Sequence, residues 1–434
     1  MASPPSPLHA GMKALIACDS GAVVAGIVDF VLSQHAGLRL LSRALARADG
    51  TPLGLTIVVL NGLRCYLGVT LSGHGRTIVA ARRPNERRAA ADLARMMPDD
   101  RWSELRFEWR LAPMAAAMTA LSRTAVADCR RTIRLARALM RRYGVFRAMR
   151  VVELFAYYRR YCELLAGREF ALAVMSSHSN PHGIALNLAA RRFGAPVVLV
   201  THGMPIVPIA RLDYDLAVVE CEASRRIYED AGCRMRHVVI KSRKRDHAAM
   251  RLPLPARGLR IGLFLSKDPV EERVVRCVQA LLASDRIAKV LVRPHPVNLW
   301  PALAERMDAF GHRRVRLLSD RPLAADLRDC DLVLAGNSTV LLDAVVAGCP
   351  ACYVRGLDHG PYDVQAFVRD GLACELAEPW RVDDGAIGRF YERNSWPAVL
   401  RRYADVDRDD AEVARAVRAA VSSLVGDISA RGAA

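Results

Sequence analysis

From Glu169 onward short β-rich apolar runs end in polar clusters and alternate with helix-period segments, two of which are closed by Gly and Pro, although no internal sequence repeat is evident. Phe170–Met175 is such a run, followed by Ser176-Ser177-His178-Ser179-Asn180-Pro181-His182-Gly183. A helix pattern covers Ile184–Phe193, with Gly194 at its C-cap position and Pro196 beyond. Val197–Val200 then ends in Thr201-His202-Gly203. A strand–helix–strand order of this kind predicts parallel strands and a right-handed crossover. Both polar clusters therefore emerge at the carboxyl edge of the strands, the edge that holds ligands in open α/β sheets.

A second series follows the Pro-punctuated basic stretch Arg251–Arg257, which reads as a linker or hinge. Leu259–Leu265 leads to Ser266-Lys267-Asp268, and Lys289–Val292 to Arg293-Pro294-His295-Pro296. Val315–Leu318 leads to Ser319-Asp320, and Asp331–Ala335 to Gly336-Asn337-Ser338-Thr339. The helix Val340–Ala347 stops at Gly348, and Ala351–Val354 is the next strand. From Trp380 the chain reads as helices, the last over Asp410–Val425. The expected fold is therefore α/β: two Rossmann-like domains facing across a cleft, with a helical C-terminal segment. The boundaries read as 1–250, 258–378 and 379–434, the last packing back on the two domains.

Residues 1–165 are less regular. Leu55–Leu60 and Thr77–Ala81 read as strands, and from Asn85 to Leu165 the pattern is mostly helical and Arg-rich. Arg130, Arg131, Arg134, Arg137, Arg141 and Arg142 recur every three or four positions, either as a solvated helix face or as a surface for anionic lipid headgroups. Ala14–Leu32 is apolar, but Asp19 and Asp29 interrupt it, so a buried strand–turn–helix is expected rather than a span. Leu15-Ile16-Ala17-Cys18 resembles the end of a lipoprotein cleavage site, yet the dozen residues before it lack an apolar core.

Composition bounds the function classes. In 434 residues, 52% hydrophobic and 25% charged, wholesale disorder is excluded. The net charge of +18 implies an anionic partner, but only five of the 63 basic residues are lysines, so the skew says little about nucleic acid. Aromatics, at 6%, are not interleaved with the arginine runs as base-stacking platforms would be, and no nucleic-acid partner is expected. Eleven cysteines without a spacing framework read as reduced thiols of a cytoplasmic protein. Cys349 and Cys352 form a CxxC, for which a buried strand is the expected setting.

Three strand ends carry the chemistry. Asn337 or Ser338 suits a helix N-cap, where backbone N–H groups and the helix dipole favour an anion; Asp343, one turn in, can lean back toward it. A diphosphate on Ser338 and Thr339 with a ribose near Asp343 fits this pattern, and so does an ordinary capped helix. Arg293 and His295, fixed by two prolines, can bind phosphate oxygens, and His295 can assist a leaving group. His202, with Gly203 permitting close approach, suits a general base for an acceptor hydroxyl, although a structural histidine fits as well. Ser177, His178, Asn180 and His182 lie beside it and could hold a sugar-like acceptor.

The order "His-Gly after β-α-β", "Arg-x-His-Pro", "Asn-Ser-Thr before a short helix ending Gly-x-Pro" resembles the GT-B-fold transferases of bacterial surface polysaccharides. The nearest by motif are the CDP-glycerol glycerophosphotransferases and the capsule polysialyl- and Kdo-transferase type enzymes, over about Phe170–Glu375. The resemblance implies His202 as base, His295 on the donor phosphate, and Ser338 and Thr339 on the diphosphate. That family commonly has Asp-Tyr-Ser-Ser where this chain has Gly336-Asn337-Ser338-Thr339.

The leading expectation is an inverting glycosyltransferase-like or polyol-phosphate transferase of capsule synthesis. Its donor would be nucleotide-activated and rest on Ser266, Lys267, Arg293, His295, Asn337, Ser338, Thr339 and Asp343, with a glycan or lipid-linked acceptor. No cofactor and no metal are expected if arginine and the helix dipole neutralise the leaving group. The alternatives are a UDP-N-acetylglucosamine 2-epimerase-like enzyme and a non-catalytic protein that binds anionic surfaces. The expected location is the cytoplasm, with peripheral contact to the inner face of the membrane.

Overall fold

The computed structural model describes residues 36–97, 101–107, 123–206, 209, 211–241, 248–266, 269–296, 300–311, 313–318, 321–360, 362–404 and 409–432. The segment Ala14–Leu32, Lys267 and Ser319-Asp320 lie outside them, as do the side chains of Arg130 and Arg131. The chain forms two compact units; the first contains Arg39–Lys241 and Asp409–Ala434, the second Ser242–Arg408, so that Arg251–Arg257 lies inside the second.

The first unit contains α1 (Ala36–Ala46) from Arg39 onward, α2 (Pro52–Leu67), β1 (Val69–Ser72), β2 (Thr77–Ala80), α3 (Pro84–Met96), β3 (Trp102–Phe107) and α4 (Arg123–Leu165). It continues with β4 (Leu172–Met175), α5 (Pro181–Arg192), β5 (Val197–Val200), β6 (Asp213–Val219), α6 (Glu222–Asp230) and β7 (Arg234–Ile240). The second unit contains β8 (Leu259–Phe264), α7 (Glu271–Leu282), β9 (Ile287–Arg293), α8 (Leu303–Asp308), β10 (Val315–Leu317), α9 (Leu323–Arg328) and β11 (Leu332–Ala335). After these come α10 (Val340–Val346), β12 (Ala351–Tyr353), β13 (Cys374–Glu375), α11 (Asp384–Glu392) and α12 (Trp396–Tyr403). The last helix, α13 (Asp410–Gly432), returns to the first unit.

In the first unit the sheet order is β1-β3-β2-β4-β5-β6-β7, parallel throughout except for the β1–β3 edge pair. β4 and β5 are buried along their whole length, as parallel strands covered on both faces must be. Val413, Val417, Val421 and Leu424 of α13 join Leu93 of α3 and Val79, Val174, Val198 and Leu216 of the sheet in one core. The C-terminal helix is thus part of this layer.

Leu55–Leu60, expected as a strand, is helical and lies inside α2. Thr51 Oγ1 accepts the Gly54 N–H at 3.1 Å and Pro52 opens the helix, so local capping sets the backbone before β-propensity can act. α2 packs with α1 and α4 around Val58, Ala136, Met140, Val145, Ala148 and Val152. α4 itself breaks at Gly144, where φ is 74° and ψ 169°, a conformation that glycine adopts without steric cost. The Asp49 carboxylate accepts the Val145 N–H at 2.6 Å and caps the restarted helix. β3 also interrupts the expected helical stretch 85–165.

In the second unit the order is β10-β9-β8-β11-β12-β13, all parallel. In chain order this is 3-2-1-4-5-6, the doubly wound Rossmann arrangement, whose direction of winding reverses between β8 and β11. The expected α/β class with two parallel-sheet units and a helical C-terminal segment is what the chain forms.

Candidate functional site

The two sheets place their strand-end clusters by the same rule. Winding reverses between β2 and β4 in the first unit and between β8 and β11 in the second, and a crevice opens at the carboxyl ends of such a pair.

In the first unit the crevice is built around a residue that sequence reasoning missed. Glu86, fully buried, is the third residue of α3, where its carboxylate accepts the Arg82 and Arg83 backbone N–H groups at 2.8 and 3.1 Å. It also accepts Asn180 Nδ2 at 3.0 Å and stands 3.0 Å from His182 Nε2, which must be the donor because a carboxylate only accepts. Burial alone pushes this carboxyl up, but the hydrogen bond and charge of His182 and the two backbone donors outweigh it and hold the group at about 2.

His182 and Asn180 therefore do not belong to an open acceptor loop. Pro181 starts α5, and His182 in its first turn is 2% exposed, edge-on to Phe107 and Tyr157. The Ser177 hydroxyl is likewise used, accepting from the Asn180 N–H at 3.2 Å and Nδ2 at 2.7 Å. His178 is engaged through Nδ1, 2.7 Å from the Tyr228 hydroxyl. Burial holds the Tyr228 phenol well above its usual range, so it donates and His178 Nδ1 accepts. Burial first, and then the nearby His202, bring His178 down to about 4, leaving it neutral with its basic lone pair occupied.

His202 differs from both. It is exposed, follows β5, and its Nδ1 lies 2.9 Å from the Ser176 carbonyl oxygen. A carbonyl only accepts, so Nδ1 carries the proton and neutral His202 presents a bare lone pair at Nε2. Ser176 is itself held, its hydroxyl donating to the Glu86 main-chain oxygen at 3.1 Å. Lys241 Nζ donates to the Thr201 carbonyl just before His202 and pairs with Glu220 at 3.1 Å. At Gly203 a Cβ would meet nothing within 4 Å among the described residues.

In the second unit, the register of β8 with β11 and β9 (Phe264 opposite Ala335 and Arg293) brings Ser266, His295 and Gly336–Thr339 to one edge. The Ser266 hydroxyl oxygen is buried and has no hydrogen-bond partner among the described residues, an orphan at the point of reversal. His295 is half-buried two residues beyond β9. Arg293 does not extend toward the crevice: it pairs with the fully buried Asp326 of α9 and donates to the Arg321 carbonyl at 2.9 Å. A buried carboxylate needs such a partner, which explains why this guanidinium turns inward.

Asn337 is also committed elsewhere. Its N–H and Nδ2 donate to Asp358 at 2.7 and 2.9 Å, and its Oδ1 accepts the Val364 N–H at 3.1 Å. A Cβ on Gly336 would stand 2.3 Å from Asp358 Oδ2. Gly336→Ala is accordingly expected to cost about 1–3 kcal/mol in urea unfolding, because Asp358 cannot move without releasing Asn337. Thr339, exposed, is the N-cap residue of the seven-residue α10, and the Ser338 hydroxyl accepts the Val340 N–H at 3.3 Å. Asp343 sits one turn in and is half-buried.

Among the described residues no cluster of three or more His, Cys, Asp or Glu side chains could hold a metal ion. Cys349 and Cys352 are buried and do not pair; Cys352 Sγ instead lies 2.9 Å from Cys374 Sγ on the adjacent strand.

No protein-family model matches the chain, and no curated protein matches it in sequence. Solved structures are similar at low identity. The calicheamicin glycosyltransferase CalG4 is 15% identical, with 81% of this chain and 98% of that one covered and a TM-score of 0.46. The glycosyltransferase SnogD from Streptomyces nogalater is 16% identical over 64% of this chain and 78% of that one, with a TM-score of 0.33. A UDP-GlcNAc 2-epimerase from Neisseria meningitidis bound to UDP-GlcNAc is 11% identical over 64% and 82%, with a TM-score of 0.36. At these values the likeness is distant, and what those proteins bind or transfer is said of them alone.

Proposed function

We propose that the chain is a transferase that moves a glycosyl or polyol-phosphate group from a nucleotide-activated donor to a hydroxyl acceptor in surface-polysaccharide synthesis, with inversion and with His202 as base. One observation supports it above the others: an exposed imidazole at a strand's carboxyl end whose Nδ1–H is fixed on the Ser176 carbonyl, leaving Nε2 as a proton acceptor. In the reaction Nε2 takes the acceptor's hydroxyl proton, the acceptor oxygen forms the new bond to the donor, and the bond to the nucleotide phosphate breaks with its electron pair. The departing phosphate charge would rest on Ser266, His295, Ser338 and Thr339, of which the orphan Ser266 hydroxyl is the group most in need of a partner. A GT-B pairing of the two units is part of this proposal.

The test is a thermal-shift screen of the full chain against CMP, CDP, UDP, GDP and their sugar or polyol conjugates, followed by product analysis with and without an acceptor. A ligand at a hundred times its Kd adds about 2.7 kcal/mol of stability, enough to detect. Release of free nucleotide only when an acceptor is present supports the proposal; conversion of a UDP-sugar with no acceptor makes the chain an epimerase instead. The double change Ser338→Ala/Thr339→Ala is expected to raise the donor Kd about tenfold or more, since charge-assisted hydrogen bonds contribute about 1.5–3 kcal/mol. Unaltered nucleotide affinity in calorimetric titration would remove α10 from the donor site.

A further inference from the structure

Two thiols meet at the edge of the second sheet. Cys352 in β12 and Cys374 in β13 stand directly opposite each other in the parallel register. Neighbouring strands lie about 4.8 Å apart, within the ~4.4–6.8 Å that a disulfide spans between Cα atoms. The two Sγ atoms are 2.9 Å apart, so a bond of ~2.05 Å asks only for a sub-ångström side-chain movement. Cys330 and Cys349, buried in the same unit, show no such pairing. Cys330 Sγ donates to the Asp326 carbonyl at 3.1 Å and Cys349 Sγ to the Cys330 carbonyl at 3.5 Å.

The two members of the pair are unlike. Cys352 is buried, and its hydrogen bond with Cys374, then its burial, push its thiol well above the usual range, so it keeps its proton. Cys374 is half-buried, with its Sγ 3.5 Å from the Ala351 carbonyl. Both cysteines line a cavity of about 510 Å³, walled also by Val368, Leu376, Ile387 and Phe390. A small oxidant can enter there and meet Cys374, with a second thiol already in contact.

We propose that Cys352 and Cys374 form an oxidation site, a dithiol that a small peroxide converts to a disulfide and a thiol reductant restores. The Cys374 thiolate attacks one peroxide oxygen: an S–O bond forms, the O–O bond breaks, and the hydroxide released takes up the Cys374 proton as water. Cys352 Sγ then attacks the Cys374 sulfur: the S–S bond forms, the S–O bond breaks, and the Cys352 proton leaves with that oxygen as a second water. Two thiols are oxidised while one peroxide is reduced to two waters.

The bond would close the chain from 352 to 374 into a ring. That ring carries Asp358, which accepts the Asn337 N–H and Nδ2, and Val364, whose N–H donates to Asn337 Oδ1. It would also pin β13, an edge strand of two residues, to the sheet. The inference does not depend on what the strand-end edges bind.

The folded full chain is to be treated with a few equivalents of hydrogen peroxide, alkylated and digested with trypsin. Cleavage after Arg328, Arg355, Arg369 and Arg381 puts the two cysteines on separate peptides. The expected product is these peptides joined through Cys352 and Cys374 and separated again by dithiothreitol. Fragmentation tells Cys352 from Cys330 and Cys349 on the same peptide. In Cys352→Ala the bond cannot form, and Cys374 is expected to accumulate a sulfenic acid that dimedone traps. The oxidised wild type is expected to melt several degrees above the reduced protein, because a cross-link between residues 22 apart restricts the unfolded chain. No joined peptides, a link through Cys330 or Cys349 instead, or Cys374 sulfinic acid without a link overturns the proposal. The wild-type peptide map decides this even where Cys352→Ala fails to fold. Dimedone on Cys352 of Cys374→Ala, with none on Cys374 of Cys352→Ala, overturns Cys374 as the attacking thiol. An unchanged Tm in cross-linked protein overturns the pinning of β13.

Discussion

If His202 is the base, its replacement with alanine is expected to lower turnover by about 10²–10⁴-fold, the usual contribution of a positioned general base, and to leave donor affinity nearly unchanged. The reason lies in which nitrogen is committed. His202 Nδ1 is held by the Ser176 carbonyl, so only Nε2 can take a proton, and its ring stands exposed at the end of β5. The neighbouring histidines cannot substitute. The His178 lone pair at Nδ1 is occupied by the Tyr228 hydroxyl, and His182 is buried against Glu86. His178→Ala should therefore reduce stability and keep turnover at temperatures where the protein stays folded. The check is single-turnover kinetics on the purified variants with the donor found by the nucleotide screen, alongside titration of donor binding. Near-normal turnover in His202→Ala would end the histidine-base mechanism.

Much of the second unit was legible because parallel buried strands write themselves as apolar runs. Leu332–Ala335 and Ala351–Tyr353 coincide with expected runs to within a residue. Leu55–Leu60 failed for a complementary reason: an apolar, β-branched run can be a buried strand or the face of a packed helix, and only the Thr51 cap and the packing against α4 decide. At the candidate site, strand-end position could be read but partners could not. His202 was visible as a strand-end residue, yet its tautomer depends on a main-chain carbonyl 26 residues away, brought near by the pairing of β4 with β5. Arg293 and Asn337 were visible as polar residues in the right loops, but nothing local reveals that Asp326 and Asp358 claim them. Glu86 looked like any acid in the first turn of a helix. Its position after Pro84 was a legible start signal; the histidine 96 residues downstream that it holds was not.

Glu86 carries the largest expected effect on stability. Glu86→Ala leaves the Arg82 and Arg83 N–H groups, the Asn180 amide and the buried His182 without their shared acceptor. Breaking such a cluster by removing one partner costs about 3–5 kcal/mol, a drop in Tm on the order of 10 °C for a unit of this size. Its pH dependence follows from the carboxyl, held at about 2 against an ordinary 4.5. A carboxyl depressed in the folded state stabilises fully above its unfolded value, and the contribution fades as pH falls through the folded one. A shift of this size corresponds to about 3 kcal/mol at neutral pH, lost between pH ~5 and ~2. Glu86→Gln keeps the shape of the side chain but has no charge to lose, so its unfolding free energy should fall less steeply than the wild type's over that window. Urea unfolding of both proteins at a series of pH values reads this directly: curves that converge toward pH 2 are expected, and curves that stay parallel would mean that the Glu86–His182 cluster does not stabilise the fold through its charge.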